Sequence, residues 1–445
     1  MLNRIAGLET EYGCLAKDEI AGSSIITQVR DWIFEKRRYG LLDVHHRDWD
    51  EPPGNGGFLY NGGRFYIDMG HAEVCTPECA TVRDLVSWDR AGDRILTRAL
   101  AELGYADDVS FVRNNVDHYT GATFGCHENY LILRNTPTTE KNVHSLLAFL
   151  TLRTLYAGAG RVGSVRSYRF RRQPIEPEEM NCFQISQRAD YIQNDFFEWV
   201  QGNRAIINTR DEPLADPTKY RRLHLLQGDT NVLPGALFLK AGTTRLVLDL
   251  LDADAMPSII LNEAVETLRQ ISYKPDGPWL ATLQSGKEVA AVDLLGQFQE
   301  ACAKEFGGRD EETDAVLSWW LKVLNWLEND RQQLLGVVDW VTKKYLLDAF
   351  CKSEGIDYSD PWVAAQDLEY HNIDPERSLG LPFAVEDPAW SPPLDVDPTK
   401  TPPLGCRSEK RGRLMRDIKG EDYMIDWAEI RGDGYTLELS DPFTP

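Results

Sequence analysis

The sequence predicts an α+β fold: a sheet-rich N-terminal region, packed helices, and a small C-terminal α+β domain. Residues 1–135 consist of strand-like segments interrupted by helices, and residues 311–350 are mainly helical. Two more strand-like segments with a glycine turn between them follow near the end of the chain, after a proline-rich stretch. Strands and helices that segregate along a chain in this way are typical of α+β folds.

Short-range patterns define the elements of the first 135 residues. Alternating apolar and polar residues predict strands, apolar spacings of three and four predict helices, and glycine clusters predict turns. In chain order we predict a strand at Ile5–Gly13, a helix at Gln28–Arg38, turns at Gly54–Gly57 and Asn61–Gly63, a strand at Arg64–Asp68, a helix at Thr81–Leu103 and a strand at Glu128–Leu133.

Apolar side chains at helical spacing predict the later helices. Residues 144–158 fit one helix, and Leu317, Trp320 and Leu324 recur at intervals of three and four with polar residues between them. This spacing puts the apolar side chains on one face of a helix. We therefore assign the tryptophans of this region to the core or to an interface.

A proline-rich loop predicts the boundary of the last domain. Seven prolines lie within Pro382–Pro403, which is typical of a domain linker or of a segment that wraps around a neighbouring surface. Beyond it, Tyr423–Ile430 and Tyr435–Leu439 flank a turn with two glycines, which is a hairpin signal. We divide the chain into a large domain, residues 1–378, and a small C-terminal domain, residues 379–445.

Composition excludes several classes of protein. The 445 residues include 48 lysines and arginines against 70 aspartates and glutamates, a net charge of −22, whereas duplex nucleic acid needs a basic surface. No apolar run reaches the roughly 18 residues that cross a bilayer. Eight scattered cysteines without an export signal predict reduced thiols and a cytoplasmic location. We expect a monomer with no nucleic-acid partner and no membrane association, because the acidic charge keeps the chain soluble.

Three common signatures of nucleotide-binding and hydrolytic enzymes are missing. The sequence has no GxxxxGK[ST] phosphate loop, no GxGxxG motif that follows a predicted strand, and no GxSxG motif. These absences exclude a P-loop ATPase, a Rossmann dehydrogenase and an α/β-hydrolase. A nucleotide site in this chain would have to be built from side chains on strand faces.

Two glutamates on the first predicted strand are candidates for chemistry. Side chains alternate along a strand, so Glu9 and Glu11 point to one face, and Leu8, Thr10 and Tyr12 point to the other. Adjacent carboxylates repel each other unless a cation or water lies between them, and hard divalent cations prefer oxygen ligands. The spacing fits a metal site and a solvated edge strand equally well.

A second polar cluster surrounds the strand that leaves the glycine turn. Tyr66 and Asp68 share one face of that strand, and Gly70 allows a bend that brings His71 or Glu73 near the strand end. An aspartate just before such a bend can act as a general base or as a nucleophile. A turn-capping role for Asp68 fits the same position and is the commoner arrangement.

Histidines and arginines follow on later strands. On a strand His127 and Asn129 would face the same way, and no second histidine follows at the HExxH spacing of zinc helices. Arg222 and His224 share another strand face, and Arg210 precedes them. Guanidinium groups suit a polyphosphate because each makes forked, charge-assisted hydrogen bonds. Structural salt bridges and a satisfied core histidine are the alternatives that need no ligand.

Taken together, these motifs resemble the family of Pup ligases and depupylases, PafA and Dop. The resemblance begins with Gly7-Leu8-Glu9-Thr10-Glu11-Tyr12-Gly13, Asn61-Gly62-Gly63-Arg64-Phe65-Tyr66-Ile67-Asp68 and His71-Ala72-Glu73-Val74-Cys75-Thr76-Pro77-Glu78. It continues through Asn114-Asn115-Val116-Asp117, Gly125-Cys126-His127-Glu128-Asn129-Tyr130, Gly160-Arg161-Val162-Gly163, Ser186-Gln187-Arg188-Ala189-Asp190-Tyr191, Asn208-Thr209-Arg210-Asp211-Glu212-Pro213, Gly242-Thr243-Thr244 and Asp367-Leu368-Glu369-Tyr370-His371. The resemblance covers nearly the whole chain in the family's order.

The resemblance implies a fold and a set of ligands. The fold would be glutamine-synthetase-like, with a curved antiparallel sheet as a cradle for ATP and magnesium and the small C-terminal domain against it. Asp68 would be the catalytic aspartate, acting as base or nucleophile at the isopeptide or amide carbon. Carried over residue by residue, the metal-binding set would be Glu9, Glu11, Tyr66, Glu73, His127 and His224. The nucleotide contacts would be Arg188, Asn208, Arg210 and Arg222.

The resemblance also implies a protein tag as substrate. We expect an ATP- and magnesium-dependent hydrolase acting on the C-terminal glutamine or the isopeptide bond of a Pup-like modifier and its conjugates. The motifs Thr76-Pro77-Glu78, Asn115-Val116-Asp117 and Gly160-Arg161-Val162-Gly163 are more similar to the depupylase branch. The alternative is a ligase that joins the tag's C-terminal glutamate to a lysine through a glutamyl phosphate, because Cys126 and the ending Asp426-Trp427…Pro442-Phe443 are more similar to that branch.

The sequence departs from the depupylase pattern in two ways. The long insertion that depupylases carry before the Arg64–Asp68 strand is short or absent, and Ala72 and Val74 replace the proline and tyrosine of the family. A small-molecule carboxylate–amine ligase or phosphatase on the same fold is therefore a further alternative. A paralogue that binds the tag without turnover is the non-enzymatic one.

Overall fold

The structure is a computed structural model that describes residues 4–17, 22–46, 51–118, 121–164, 181–198, 204–419, 423–432 and 434–445. Its strands are β1 (Ala6–Ala16), β2 (Gly40–Leu42), β3 (Gly56–Leu59), β4 (Arg64–Asp68), β5 (His71–Cys75), β6 (Val109–Val112), β7 (Cys126–Leu133), β8 (Arg161–Val162), β9 (Phe183–Gln184), β10 (Ile192–Phe197), β11 (Arg204–Asn208), β12 (Tyr220–Leu225), β13 (Leu280–Thr282), β14 (Glu288–Ala290), β15 (Tyr423–Ile425), β16 (Glu429–Gly432) and β17 (Tyr435–Glu438).

The α-helices are α1 (Gly22–Asp31), α2 (Val82–Leu103), α3 (Glu140–Leu152), α4 (Thr154–Ala157), α5 (Pro234–Asp252), α6 (Ala264–Ser272), α7 (Ala291–Phe306), α8 (Glu311–Asn329), α9 (Asp339–Glu354), α10 (Pro361–Tyr370) and α11 (Arg407–Asp417). A π-helical turn at Trp32–Lys36 extends α1, and 3-10 turns lie at Arg331–Leu334 and Leu381–Phe383. None of the helices that the structure describes is both long and apolar enough to span a bilayer.

One large sheet organises the fold. Its strands lie in the order β10-β11-β12-β7-β1-β5-β4-β3-β2, and β6 pairs with the second half of β1. All these pairs are antiparallel except β10 with β11, which is parallel. The predicted antiparallel sheet is therefore observed with one parallel pair at its edge.

Helices cover one face of this sheet and leave the other face open. Along β1, Leu8, Thr10 and Tyr12 are buried, while the glutamates between them are partly exposed. The Thr10 hydroxyl is 3.4 Å from Asp89, and the Tyr12 hydroxyl donates to Asp93 at 2.8 Å, so α2 lies behind β1. The alternation of apolar and polar residues along β1 thus predicts which face of the strand bears the candidate site residues Glu9 and Glu11.

The helix bounds differ from the predictions mainly at the N-terminal ends. Strand β4 and helix α2 match to within one residue, and Thr81 caps α2 by accepting from the Asp84 amide at 3.0 Å. The helix predicted from Gln28 starts at Gly22, and the one predicted from residue 144 starts at Glu140. Both begin with polar residues, whose weak apolar pattern hides the start of a helix.

The glycine pair predicted as part of a turn belongs to a strand. Gly56 and Gly57 lie in β3, between β2 and β4. A Cβ on Gly57 would lie 2.0 Å from the Leu41 carbonyl oxygen, and one on Gly56 would lie 2.3 Å from that of Phe65. Because Gly56 and Gly57 have no side chain, they let three strands approach one another closely, and they do not form a turn.

The C-terminal part packs on the edge of the large sheet. Strands β15, β16 and β17 form a small antiparallel sheet, as the hairpin signal predicted, with one extra strand. Ile425 and Ile430 share a buried cluster with Phe58 of β3 and Met415 of α11. Trp427 packs edge-on against Phe58 with ring centroids 5.0 Å apart, which ties the small sheet to the large one.

Residues 382–403, which we call the strap, wrap around the helices. Trp390 is buried between Phe238 of α5 and Trp319 of α8, with ring centroids at 5.7 and 4.7 Å. Asn61 donates to the Pro398 carbonyl at 2.8 Å, and the Trp88 indole donates to that of Thr401 at 2.9 Å. The strap therefore matches the wrap-around alternative, and the division at residues 378 and 379 stays a prediction.

Candidate functional site

Neighbouring strands bring the predicted metal-binding residues together on the open face of the sheet. Glu9 on β1 lies opposite His127 on β7, and Glu11 lies opposite Glu73 on β5. Asp68 ends β4, the next strand along. Residues opposite each other across strands point to the same face. The site is therefore a consequence of strand register, and a slip by one residue would turn these side chains toward the core.

Glu9, His127 and His224 form the first of two ligand clusters, with ligand atoms within 4.8 Å of one another. His127 Nδ1 is 3.3 Å from Glu9 Oε2, and His224 Nε2 is 3.6 Å from the same oxygen. Asn129 donates to the other carboxylate oxygen at 3.0 Å. Burial would raise the pKa of Glu9, but the two imidazoles hold it well below its usual range. The carboxylate is therefore ionised.

Glu11, Asp68 and Glu73 form the second ligand cluster, again with ligand atoms within 4.8 Å. Burial, together with the charges of Glu11 and Glu9, raises the pKa of Glu73 well above its usual range. The Gly125 amide donates to Glu11 at 2.9 Å, which fixes one of the three carboxylates. Three carboxylates this close repel one another, and a divalent cation would relieve the repulsion.

The donor atoms of both clusters fit divalent cations. Carboxylate oxygens are the ligands that magnesium and manganese prefer, and imidazole is a common ligand of divalent transition metals. Both ring nitrogens of His224 are buried and lack a hydrogen-bond partner among the described residues. A buried polar atom without a partner is costly, so the geometry favours a ligand at this ring.

Tyr66 lies beside the second cluster and donates its hydroxyl hydrogen to Glu73. Burial and the Glu73 charge raise the pKa of Tyr66 well above its usual range, so the phenol keeps its proton. The Arg64 guanidinium lies 4.4 Å from the centre of the Tyr66 ring and pairs with Glu51 at 2.7 Å. In this arrangement the neutral hydroxyl of Tyr66 donates a hydrogen bond that orients the Glu73 side chain.

A cavity of about 210 Å³ opens beside the first cluster. Its wall contains charged and polar side chains, among them Glu9, Arg64, Tyr66, Asn129 and Arg222. It also contains apolar residues, among them Ile5, Leu131, Pro213, Leu214, Trp427 and Pro442. A wall with both charged and apolar side chains suits a nucleoside phosphate, which has charged phosphates and an apolar base.

The two predicted phosphate-binding arginines are brought together by an acidic residue. Glu212 lies 2.7 Å from Arg210 and 3.6 Å from Arg222. Arg222 also donates to the Asn129 side-chain oxygen at 3.3 Å, which connects it to the first cluster. Because Arg222 lines the cavity, an anionic ligand there would compete with Glu212 for its guanidinium group.

Of the four predicted nucleotide contacts, Arg222 lines the cavity, and Arg210, Asn208 and Arg188 lie outside its wall. Asn208 ends β11 opposite His224, and its side-chain oxygen accepts from the Arg210 amide at 2.8 Å. Arg188 is fully buried and donates to the Phe124 carbonyl at 2.7 Å. Asn208 thus shapes the turn that carries Arg210, and Arg188 holds a loop of the second cluster.

Sequence reasoning missed part of the site. Asn129 and Glu212 each lie two residues after a predicted site residue, and that spacing could have added them to the candidate set. Trp427 and Pro442 reach the cavity from the C-terminal part of the chain. Nothing in their local sequence indicates this contact, because it depends on how distant segments pack.

The chain is similar in sequence to known proteins over nearly its whole length. Residues 4–431 match the family model described as Pup-ligase protein. The chain is 32% identical over 468 residues to the Pup-protein ligase of Acidimicrobium ferrooxidans, covering 100% of this chain and 96% of that one. It is 38% identical over 475 residues to the depupylase of Acidothermus cellulolyticus, covering 96% and 91%.

Solved structures show the same fold. The complex between the prokaryotic ubiquitin-like protein Pup and its ligase PafA superposes with a TM-score of 0.82 and 31% identity, covering 99% of this chain and 88% of that one. PafA in complex with ADP superposes with a TM-score of 0.75 and 32% identity, covering 88% and 87%. The predicted fold class is confirmed.

Proposed function

Because the chain belongs to the Pup-ligase family, we propose that it is an ATP- and magnesium-dependent ligase that joins the C-terminal glutamate of a Pup-like tag to a lysine side chain. The observation that carries the proposal is the pair of ligand clusters beside a cavity whose wall includes Arg222. Ligation is favoured over hydrolysis by the relatives named as ligases, which align with 100% of the chain, and by the PafA–Pup complex.

The proposed reaction has two steps. A carboxylate of the tag attacks the γ-phosphorus of ATP, which releases ADP and leaves a glutamyl phosphate. The lysine amine then attacks the acyl carbon, phosphate leaves, and an isopeptide bond forms. Magnesium bound by the two clusters would neutralise charge on the phosphates. Arg222 and Arg210 bind the phosphate oxygens through charge-assisted hydrogen bonds.

Asp68 is the group we assign to proton transfer. It ends β4 at the open edge of the second cluster, is half-buried, and is followed by Met69, which is 63% exposed. A lysine from a protein substrate can therefore approach from solvent on this side. The attacking amine must lose a proton, and a carboxylate within hydrogen-bond reach can accept it.

Hydrolysis is the second candidate function. The specific observation in its favour is the 38% identity to a depupylase, compared with 32% to the ligases. In this case water replaces the lysine amine as nucleophile, and the substrate is a tag–lysine conjugate or a tag ending in glutamine. The same clusters and the same Asp68 would serve this reaction.

One set of mixtures separates the two candidates. The protein is incubated with MgATP, a tag ending in glutamate and a lysine-bearing acceptor, and intact masses and ADP are measured. The ligase proposal expects a conjugate, with one ADP for each new bond. A parallel mixture contains preformed conjugate. Release of free tag there, without conjugation in the first mixture, would favour the depupylase. No reaction in either mixture contradicts both.

Replacing Asp68 by asparagine tests the assigned role. We expect Asp68→Asn to lose conjugation by about 100-fold or more, since general-base catalysis contributes 10²–10⁴. Binding of ATP without added metal, measured by calorimetry, should stay within about threefold, because Asp68 belongs to a metal-ligand cluster but does not line the cavity. An Asp360→Asn variant, changed on the distant α10 cap, is the control and should conjugate normally. A fully active Asp68→Asn protein would remove Asp68 from the mechanism.

We further propose that the enzyme acts in the cytoplasm as a monomer. All eight cysteines are free thiols, four of them fully buried without a disulfide partner, which suits a reducing compartment. Size-exclusion chromatography with light scattering tests the oligomeric state, and a mass near twice that of the chain would contradict it.

A further inference from the structure

A buried polar cluster outside the site, which we call the hub, joins motifs that the proposed reaction does not use. Its members are Lys343, Asp367, His371, Gln187 and the Gly160 carbonyl. Lys343 Nζ lies 2.5 Å from the Asp367 carboxylate, 2.6 Å from His371 Nε2 and 2.7 Å from the Gly160 oxygen. Gln187 donates to the same oxygen at 2.9 Å and lies 2.6 Å from His371 Nε2.

The charges of the hub define its hydrogen bonds. Burial would raise the pKa of Asp367, but Lys343 and His118 hold it well below its usual range. Burial and the Lys343 charge lower the pKa of His371 well below its usual range, so the ring is neutral. With Nε2 as the unprotonated nitrogen of the neutral ring, its single lone pair is shared by two donors, Lys343 and Gln187. Removing one partner of a buried ion pair leaves the other uncompensated, so the members depend on one another.

The hub reaches the site through one amide side chain. Gln187 Oε1 accepts from the Asn115 backbone amide at 2.5 Å, and the Asn115 side chain donates to the Phe124 carbonyl at 3.1 Å. Arg188, the next residue after Gln187, donates to the same carbonyl at 2.7 Å. Asp229 holds this turn by accepting from the amides of Gln187 and Arg188 at 2.9 and 3.2 Å.

The loop held in this way forms a wall of the second cluster. Gly125 donates its amide to Glu11, and the Phe124 ring packs against His71 with centroids 4.9 Å apart. His71 is the cross-strand partner of Asp68. None of these loop and hub residues lines the cavity beside Arg222. The hydrogen bonds of the hub therefore lead to the second ligand cluster and not to the wall of the cavity.

We propose that Lys343 is a positioning residue that fixes the 121–125 loop against the second cluster, through Gln187 and Asn115, and so controls the transfer step without contributing to nucleotide binding. This inference rests on the proposed function for its kinetic part. The position of the loop can be tested independently of any activity.

The test compares Lys343→Met with Gln187→Met, which cuts the link to Asn115 but keeps the ion pair. We expect the kcat of conjugation to fall about 10- to 100-fold in each variant, as a small misplacement at a reacting centre does. The affinity for ATP without added metal should stay within about twofold, since no hub residue lines the cavity. The double variant should lose little more than either single one, because both break one network.

Lys344→Met is the matched control. Its side chain is on the same helix, is 20% exposed and pairs with Asp348. Hydrogen exchange gives a readout without turnover: the amides of residues 113–118 and 121–125 should exchange faster in both hub variants and at the wild-type rate in the control. If Lys343→Met fails to fold, Gln187→Met carries the test alone.

Two results overturn the proposal. One is unchanged exchange of residues 113–118 and 121–125 in Gln187→Met. The other is a loss of affinity for metal-free ATP as large as the loss of kcat, which would mean a general structural defect. If the wild-type protein neither conjugates nor hydrolyses, the proposed function fails, and the exchange measurement still decides whether the hub holds the loop.

Discussion

At the scale of single residues, Gly125 shows how little room the two clusters have. A Cβ at this position would lie 2.3 Å from His127 Nε2 and 3.0 Å from Glu11 Oε1. The imidazole would have to turn away from Glu9. The φ angle of Gly125 is one that other residues also adopt, so the backbone does not require glycine here. The requirement comes from the nearby His127 and Glu11 side chains, which leave no room for a Cβ.

Replacing Gly125 by alanine should weaken metal binding. We expect Gly125→Ala to lower the affinity for Mn2+, used as a spectroscopic probe, by about tenfold or more, which is the usual effect of disturbing a ligand's surroundings. Gly296→Ala on α7 is the control, because nothing lies within 4 Å of its Cβ. It should raise stability by roughly 0.5–1 kcal/mol and leave the metal affinity unchanged. Equal Mn2+ affinity in both variants would contradict the assigned metal site.

At the scale of elements, a buried ion pair joins α11 to the large sheet. Glu78 follows β5 and accepts from Arg407 at 2.6 Å and from Arg411 at 2.6 Å. Burial opposes the charge, but Arg411 and Arg407 lower the pKa of Glu78 to about 2, from 4.5. Both Glu78 and Arg407 also line the cavity, so this pair couples the C-terminal part to the site.

The depressed pKa predicts how this contact responds to pH. A carboxyl with a lowered pKa stabilises the fold above pH 4.5, and the contribution disappears as pH falls from about 4.5 toward 2. A shift of this size corresponds to roughly 3 kcal/mol. Glu78→Gln should therefore be less stable than wild type by about that amount at pH 7, in urea unfolding, with the difference shrinking below pH 4.5. The exposed Glu354→Gln is the control, and a difference independent of pH would contradict the ion pair.

At the scale of the whole molecule, the strap holds distant layers together. It lies between α10 and α11 in the chain, and its buried Trp390 fills the space between α5 and α8. The C-terminal segments that it leads to supply Trp427 and Pro442 to the cavity wall. Packing of the strap is therefore a condition for a complete site.

Truncating Trp390, the buried tryptophan of the strap, should destabilise the whole protein. We expect Trp390→Ala to lower the unfolding free energy by about 3–5 kcal/mol, as for other buried tryptophans. Leu404→Ala, at a side chain that is 71% exposed, should change it by less than about 0.5 kcal/mol. Thermal and urea unfolding measure both. Similar stability in the two variants would mean that the strap is a loose linker.

Local patterns predicted much of this fold and part of its site. Residues Arg64–Asp68 and the helix after Thr81 were placed correctly because alternation and capping act over a few residues. Gly56 and Gly57 were assigned to a turn because glycine signals a turn and a close strand approach in the same way. The direction of the reaction stays a prediction, since relatives named as ligases and a relative named as a depupylase both match nearly the whole chain.

The sequence by itself determined that Glu9 and Glu11 share a face, because side-chain direction along a strand depends only on the number of residues between them. Only the tertiary structure decided that His127, 118 residues away, lies against Glu9, and that His224 joins them across β12. Which strands pair depends on the burial of whole faces of the sheet, so no local sequence pattern identifies the partner strand. The same is true of the hub, where Lys343 and Gln187 meet only after the helices pack behind the sheet.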